Sequence, residues 1–169
     1  FADQRVATVS AGAGHNLATT ADGAIWSWGF GGLGGLGHGD EQDQSLPKKV
    51  EAFAGRRVVA VSAGEHHSLA LTTDGAVWSW GHGHSGVWGH GDEQGQLEPR
   101  KVEAFANRRV VAVSAGGDQN IALTTDGAVW SWGDGDEGKL GHVRGHAAAR
   151  DRAGRQDIRR GHGRRRDAW

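Results

Sequence analysis

The chain has 169 residues, enough to bury a core, and its formal net charge of −1 sums an acidic stretch and a basic one. Residues 1–142 carry 10 Lys or Arg against 17 Asp or Glu, whereas residues 143–169 carry nine Arg against three Asp. The absence of cysteine excludes disulfides and thiolate metal sites, and no apolar run approaches the roughly 20 residues that span a bilayer. Neither an oxidising compartment nor a membrane is therefore expected, and an intracellular location, cytoplasmic or nuclear, is the reading.

The chain is built from repeats, and these are read before any single element. Leu17 to Gly29 reads LATTADGAIWSWG, Leu69 to Gly81 reads LALTTDGAVWSWG, and Ile121 to Gly133 reads IALTTDGAVWSWG. Trp26, Trp78 and Trp130 are 52 residues apart. Phe1, Phe53 and Phe105 share the same register, as do Ser10, Ser62 and Ser114. Units of about 1–52, 53–104 and 105–142 follow, the last incomplete, with an Arg-rich tail over 143–169. The chain holds no Met, and Phe1 stands where a preceding unit would end, so a piece of a longer chain or a processed product is expected.

Each unit offers four strands, clearest in the second. Arg57–Ala63 comes first and is broken at Gly64. His67–Thr72 and Ala76–Trp80 follow, joined at Asp74-Gly75. Asp-Gly predicts a type I′ hairpin turn, because Gly takes positive φ without strain. Large and small residues alternate with period two, as in a strand. A glycine-rich loop over 81–91 and a polar stretch over 92–98 lead to Pro99, which opens a last strand over 100–105. Four short antiparallel strands per unit at this period predict propeller blades. The fold class is thus all-β, with three consecutive four-stranded blades forming an open partial propeller. A β-solenoid competes, but its coils are shorter and need no Asp-Gly hairpin.

The residues Val61-Ser62-Ala63-Gly64, His67 to Gly81, and the pattern Gly-x-Gly-x-x-Gly-x-Leu-Gly-His-Gly-Asp over 29–40 resemble the repeat of the regulator of chromosome condensation family. That resemblance implies a seven-bladed propeller, of which three blades are present. It leaves two functions from different classes. One is a non-catalytic interaction scaffold whose loops bind a protein partner. The alternative is part of a guanine-nucleotide exchange factor for a small Ran-type GTPase. A light-sensing branch of the family carries Trp in Gly-Trp-Arg-His-Thr motifs. The matching positions here are Ala13, Glu65 and Gly117, so the Trp residues are read as blade core.

Candidate chemistry is weighed against structure in each loop. Gly29-x-Gly31-x-x-Gly34 and its two copies match a dinucleotide fingerprint, but no helix follows to face a pyrophosphate, so tight turns are expected and no cofactor. His82, His84 and His90 lie near Asp92, yet His82 and His84 become Phe30 and Gly32 in the first copy and Asp134 and Asp136 in the third. A loop, not a metal site, is the reading. His15 and His67 are replaced by Gln119, which keeps hydrogen-bonding capacity and loses titration, so a structural contact is expected there. No nucleophile accompanies the carboxylates, so no catalytic residue is expected. His38, Asp40, Glu41, His82, His84, His90, Asp92 and Glu93 remain as partner-binding loop residues.

The tail departs from the repeat after His142, and the fourth strand of the third unit has no counterpart in it. Its composition predicts disorder and non-specific contact with a polyanion. Two uncovered blade faces also make self-association an expectation.

Overall fold

A computed structural model describes residues 4–82, 86–91 and 95–141, and the backbone of 159–161. Alternating Val, Leu and Trp with Ala and Ser set a pleated period in every unit, and each unit folds as one antiparallel sheet. Blade 1 holds β1 (Val6–Ala11), β2 (His15–Thr20), β3 (Ile25–Gly29) and β4 (Gln44–Lys49). Blade 2 holds β5 (Val58–Ala63), β6 (His67–Thr72), β7 (Val77–Gly81) and β8 (Gln96–Lys101). Blade 3 holds β9 (Val110–Ala115), β10 (Gln119–Thr124), β11 (Val129–Gly133) and β12 (Arg159–Gly161). Strands are paired in chain order within each sheet. The three blades form an open partial propeller.

The core lies between blades. One cluster joins Leu17, Ile25 and Val50 of blade 1 to Phe53, Val58, Ala70 and Trp80. The other joins Leu69, Val77 and Val102 of blade 2 to Phe105, Val110, Ala122 and Trp132. Every residue in the second set stands 52 positions after one in the first, so one interface is built twice. Glycine makes the close approach possible: a methyl at Gly64 would meet the Gly116 carbonyl oxygen at 2.7 Å, and one at Gly12 would strike that of Gly64.

Three sequence expectations are corrected here. The Asp-Gly turn is not type I′. Only the glycine is left-handed (Gly75, φ +83°), and Asp74 is not. Thr72 N donates to Ala76 O at 3.0 Å and Gly75 N to Thr72 O at 2.9 Å, a three-residue loop that ends in a left-handed glycine. Asp74 fixes it by accepting from Thr72 Oγ1 (2.5 Å) and Ala76 N (3.3 Å).

The fourth strand begins earlier than Pro99. β8 runs Gln96–Lys101 with Pro99 inside it, and Glu103–Phe105 forms a 3-10 turn. β8 is the outer strand of its sheet, where a missing N–H removes no obligatory ladder bond.

The third unit does have a fourth strand. β12 pairs antiparallel with β11, placing Arg159 opposite Ser131 and Arg160 opposite Trp130. Lys48 and Lys49 stand opposite Ser27 and Trp26, and Arg100 and Lys101 opposite Ser79 and Trp78, in the same register. An outer strand supplies backbone hydrogen bonds rather than core side chains, so a basic pair suffices where no apolar segment is present.

Candidate protein-binding surface

All strands of a blade end at two opposite rims. At one rim lie the Asp-Gly turns and the connections between blades. At the other lie the loops 12–14 and 30–43 and their equivalents. The local sequence sorts charge between them.

The second rim is acidic. Asp40, Glu41, Asp43, Glu65, Asp118, Asp134, Asp136 and Glu137 lie in its loops. Among the described residues those loops hold one Lys or Arg, Lys139, whose Nζ lies 2.8 Å from Asp134 Oδ2. Asp43 Oδ1 accepts from Gly31 N at 2.8 Å and ties the long loop across itself. Asp40 Oδ1 accepts from Gln42 N at 3.1 Å, and Glu41 is exposed beside it.

The sequence-predicted histidines are anchors of these loops. The Ser27 hydroxyl donates to Leu36 O at 2.8 Å, so it accepts from His38 Nε2 at 3.0 Å. Ser79 repeats this with Trp88 O at 2.7 Å and His90 Nε2 at 3.0 Å. Desolvation, then Lys48, lowers the His38 pKa, so its neutral form carries this bond. His82 sets its ring edge against Trp88, with centroids 6.4 Å apart. The structure thus seats His38, His82 and His90 at the bases of the loops and Asp40 and Glu41 at their tips. His84, Asp92 and Glu93 lie outside the described residues. Among the described residues no three His, Asp or Glu side chains gather as metal ligands.

The first rim is basic on balance, with Arg5, Lys49, Arg56, Arg57, Lys101, Arg108 and Arg109 against Asp22, Glu51, Asp74, Glu103 and Asp126, and sequence reading passed over it. Lys49, Arg56 and Arg57 line a hollow of about 400 Å³ together with Asp22, Val50 and Phe53. Lys101, Arg108 and Arg109 are the same positions one unit on. Part of each cluster is committed to the fold. Arg57 Nη2 donates to Ala21 O at 2.7 Å, and Arg56 lies 4.9 Å over the Trp78 ring. The signal was present as basic pairs recurring every 52 residues, but a tally by segment hid it under the acidic total.

The seam between blades is polar as well as apolar. Ser68 Oγ donates to Gly35 O and accepts from His15 Nε2, both at 2.8 Å. One blade on, Asn120 Oδ1 accepts from His67 Nε2 at 2.8 Å while its Nδ2 donates to Val87 O at 2.6 Å. Burial lowers the His15 pKa to about 4, helped by His67 and His66, and burial also lowers that of His67. Both rings are therefore neutral hydrogen-bond donors in the folded chain, the structural contact expected of a position that also accepts Gln.

The Regulator of chromosome condensation (RCC1) repeat profile matches residues 22–71 and 74–123, and a second profile of the same description matches 110–139. The human E3 ubiquitin-protein ligase HERC2 is 45% identical over 81% of this chain, which spans 3% of that protein. The Arabidopsis thaliana Ultraviolet-B receptor UVR8 is 38% identical over 81% of this chain and 31% of the receptor. Among solved structures, Prp20p from Saccharomyces cerevisiae superposes with a TM-score of 0.72 at 28% identity, over 92% of this chain and 37% of Prp20p. That structure is described with its binding properties to Gsp1p and histones. The chain thus spans a minor part of each of these proteins. No helix among the described residues is long and apolar enough to cross a membrane.

Proposed function

The chain belongs to the regulator of chromosome condensation (RCC1) repeat family, and from that premise we propose that it is a non-catalytic protein-interaction scaffold that binds a basic protein segment on its acidic loops. The observation that carries this reading is the sorting of charge between rims. Among the described residues the loops of that rim hold eight carboxylates against Lys139 alone, while most Lys and Arg of the blades lie elsewhere, so the loop rim attracts a cationic partner and repels an anionic one. Asp40 and Glu41, with Asp92 and Glu93 at the same positions of the second unit, are the contact residues in this reading together with His84, and His38, His82 and His90 shape the loops that carry them. Units 1–52, 53–104 and 105–142, the last completed by β12, form the binding module in this reading, and the rest of the Arg-rich segment 143–169 contacts polyanions without sequence preference. An intracellular setting, cytoplasmic or nuclear, accords with the cysteine-free composition.

Fluorescence anisotropy with a labelled Lys-rich peptide tests this. Asp40→Lys with Glu41→Lys is expected to weaken binding at least tenfold, and salt to weaken the wild type in parallel. Binding that ignores both changes overturns the reading. The similarity to Prp20p supports a second reading, part of an exchange factor for a Ran-type GTPase. Its measure is nucleotide release from such a GTPase in the presence of the chain and of any longer protein that contains it.

A further inference from the structure

The hollow on the first rim sits in a seam whose two sides are both present. Its walls come from the β2–β3 turn of blade 1 and from the connection that leads into blade 2. Two guanidinium groups are fixed there by carbonyls rather than by carboxylates. Arg56 Nη1 donates to Ala52 O at 3.2 Å, and its Cζ lies 4.9 Å from the centroid of the Trp78 ring. Arg57 Nη2 donates to Ala21 O at 2.7 Å, and its stem lies against Gly23. Three cations, Lys49, Arg56 and Arg57, thus meet two carboxylates, Asp22 and Glu51. Asp22 is occupied by its own turn, accepting from Thr20 Oγ1 at 2.5 Å and from Ala24 N at 3.4 Å. Glu51 Oε2 lies 3.9 Å from Lys49 Nζ. One positive charge is left over.

The arrangement repeats one blade on. Arg108 Nη1 donates to Ala104 O at 3.1 Å, with Cζ 4.4 Å from the Trp130 ring centroid, and Arg109 Nη2 donates to Thr73 O at 2.8 Å. Lys101, Asp74 and Glu103 stand where Lys49, Asp22 and Glu51 do, so the surplus is again one. We propose that each of these two seams seats one carboxylate, and that the first rim thereby docks an acidic protein segment with Asp or Glu side chains in successive seams. A carboxylate carries the single negative charge that each seam lacks. A phosphate dianion brings more, and Asp22 and Glu51 repel the excess. Ala24, Val50, Phe53 and Ala54 line the hollow beside the charges, which suits the methylenes of Glu. Both guanidinium groups are already held, so binding orders little that is loose. The site lies on the rim opposite the acidic loops and stands independently of the reading above.

Amide NMR of the full chain, titrated with a capped peptide that carries one Glu, reads each seam by itself. Gly55 reports the first seam and Asn107 the second, and both signals are expected to move and saturate. The same peptide with Gln in place of Glu is expected to leave them where they are. Lys49→Glu is expected to weaken binding at Gly55 about tenfold and to spare Asn107, and Lys101→Glu to do the reverse. Both lysines lie on outer strands and neither is buried, so each variant is expected to keep the remaining amide spectrum of the wild type. A peptide that carries several Glu is expected to bind more tightly than the single-Glu peptide, because it engages both seams. Failure of either amide to respond overturns the proposal, as does an equal response to the Gln peptide. Shifts confined to residues 143–169 assign the acidic peptide to the Arg-rich segment and overturn it as well. Inorganic phosphate that moves Gly55 and Asn107 at lower concentration than the Glu peptide makes these phosphoryl sites and overturns the carboxylate assignment.

Discussion

Blades 2 and 3 share almost all of their first three strands, from VVAVSA to VWSWG, yet they present different surfaces. In blade 2 every residue of β6 is buried, while in β10 buried and exposed positions alternate. The sequence cannot carry this difference, because Leu123 repeats Leu71 and Val129 repeats Val77. The neighbour carries it. A blade is a sheet with two apolar faces, and each face is stabilised only by the sheet stacked upon it. At about 1.5–3 kcal/mol for each large side chain fully removed from water, Ile121, Leu123 and Val129, 38–46% exposed, together forgo about 2–4 kcal/mol.

The largest expected effect exploits that contrast through tryptophan. Trp80 is fully buried in the seam, and its Nε1 donates to Gly35 O of blade 1 at 2.9 Å. Phe53 packs on it with ring centroids 5.9 Å apart. Trp80→Ala is expected to cost about 3–5 kcal/mol in urea denaturation. Trp28 is the same position on the open face of blade 1 and is half-buried, so Trp28→Ala is expected to cost less than half as much. Trp78, half-buried with its ring under Arg56, falls between them. Alternation in the sequence shows that the two Trp share a side of the strand but not how deeply each is covered. Equal costs at Trp80 and Trp28 would mean that stacking contributes nothing.

A smaller effect separates the seams by pH. His15 is held neutral with its pKa lowered to about 4, and an unfolded chain has it near 6.5. A lowered folded pKa means that the unfolded state binds more protons between those values, so stability falls as pH drops from 6.5 toward 4 and the loss ends below that. The size is about 3 kcal/mol for His15, and His67 adds loss in the same direction. Gln119 occupies this position on the open face and does not titrate. His15→Gln with His67→Gln is therefore expected to flatten the pH dependence of the urea midpoint across this window. A double variant that keeps the wild-type slope would place the titration elsewhere.

The fold was legible because period, hairpin and repeat all agree, and the two cores follow from adding 52 to each residue number. Four features were not. β12 escaped notice because an outer strand carries no apolar signature, and Arg160 sits opposite Trp130 where strict spacing from Lys101 reaches Ala153. Pro99 looked like a strand opening because the rule against proline weakens on an edge. The loop histidines read as contact residues, since nothing in the sequence ties His38 to the Ser27 hydroxyl eleven residues earlier. The acidic character of the loops was plain from the sequence. The basic rim was not, because Lys49 and Arg57 meet only through the connection between blades.

The smallest expected effect tests whether a turn is local or belongs to the seam. Asp74 holds its loop by accepting from Thr72 Oγ1 and Ala76 N, and Asp126 does the same from Thr124 Oγ1 and Ala128 N. The Thr72 bond comes first among the causes that lower the Asp74 pKa. Asp74→Ala is expected to cost about 0.5–1.5 kcal/mol, the usual worth of such bonds. Its pH trace is distinct from that of histidine. A lowered carboxylate pKa gives stability that is present above the unfolded value and lost as pH falls through the folded one, below the window in which His15 titrates. The neighbouring glycines differ: Gly75 lies against Arg109 of the next blade, and Gly127 has nothing close to it. If the turn is local, Asp74→Ala and Asp126→Ala lower the urea midpoint equally. A larger loss at Asp74 places the difference outside the two turns, because the hydrogen bonds within them are the same.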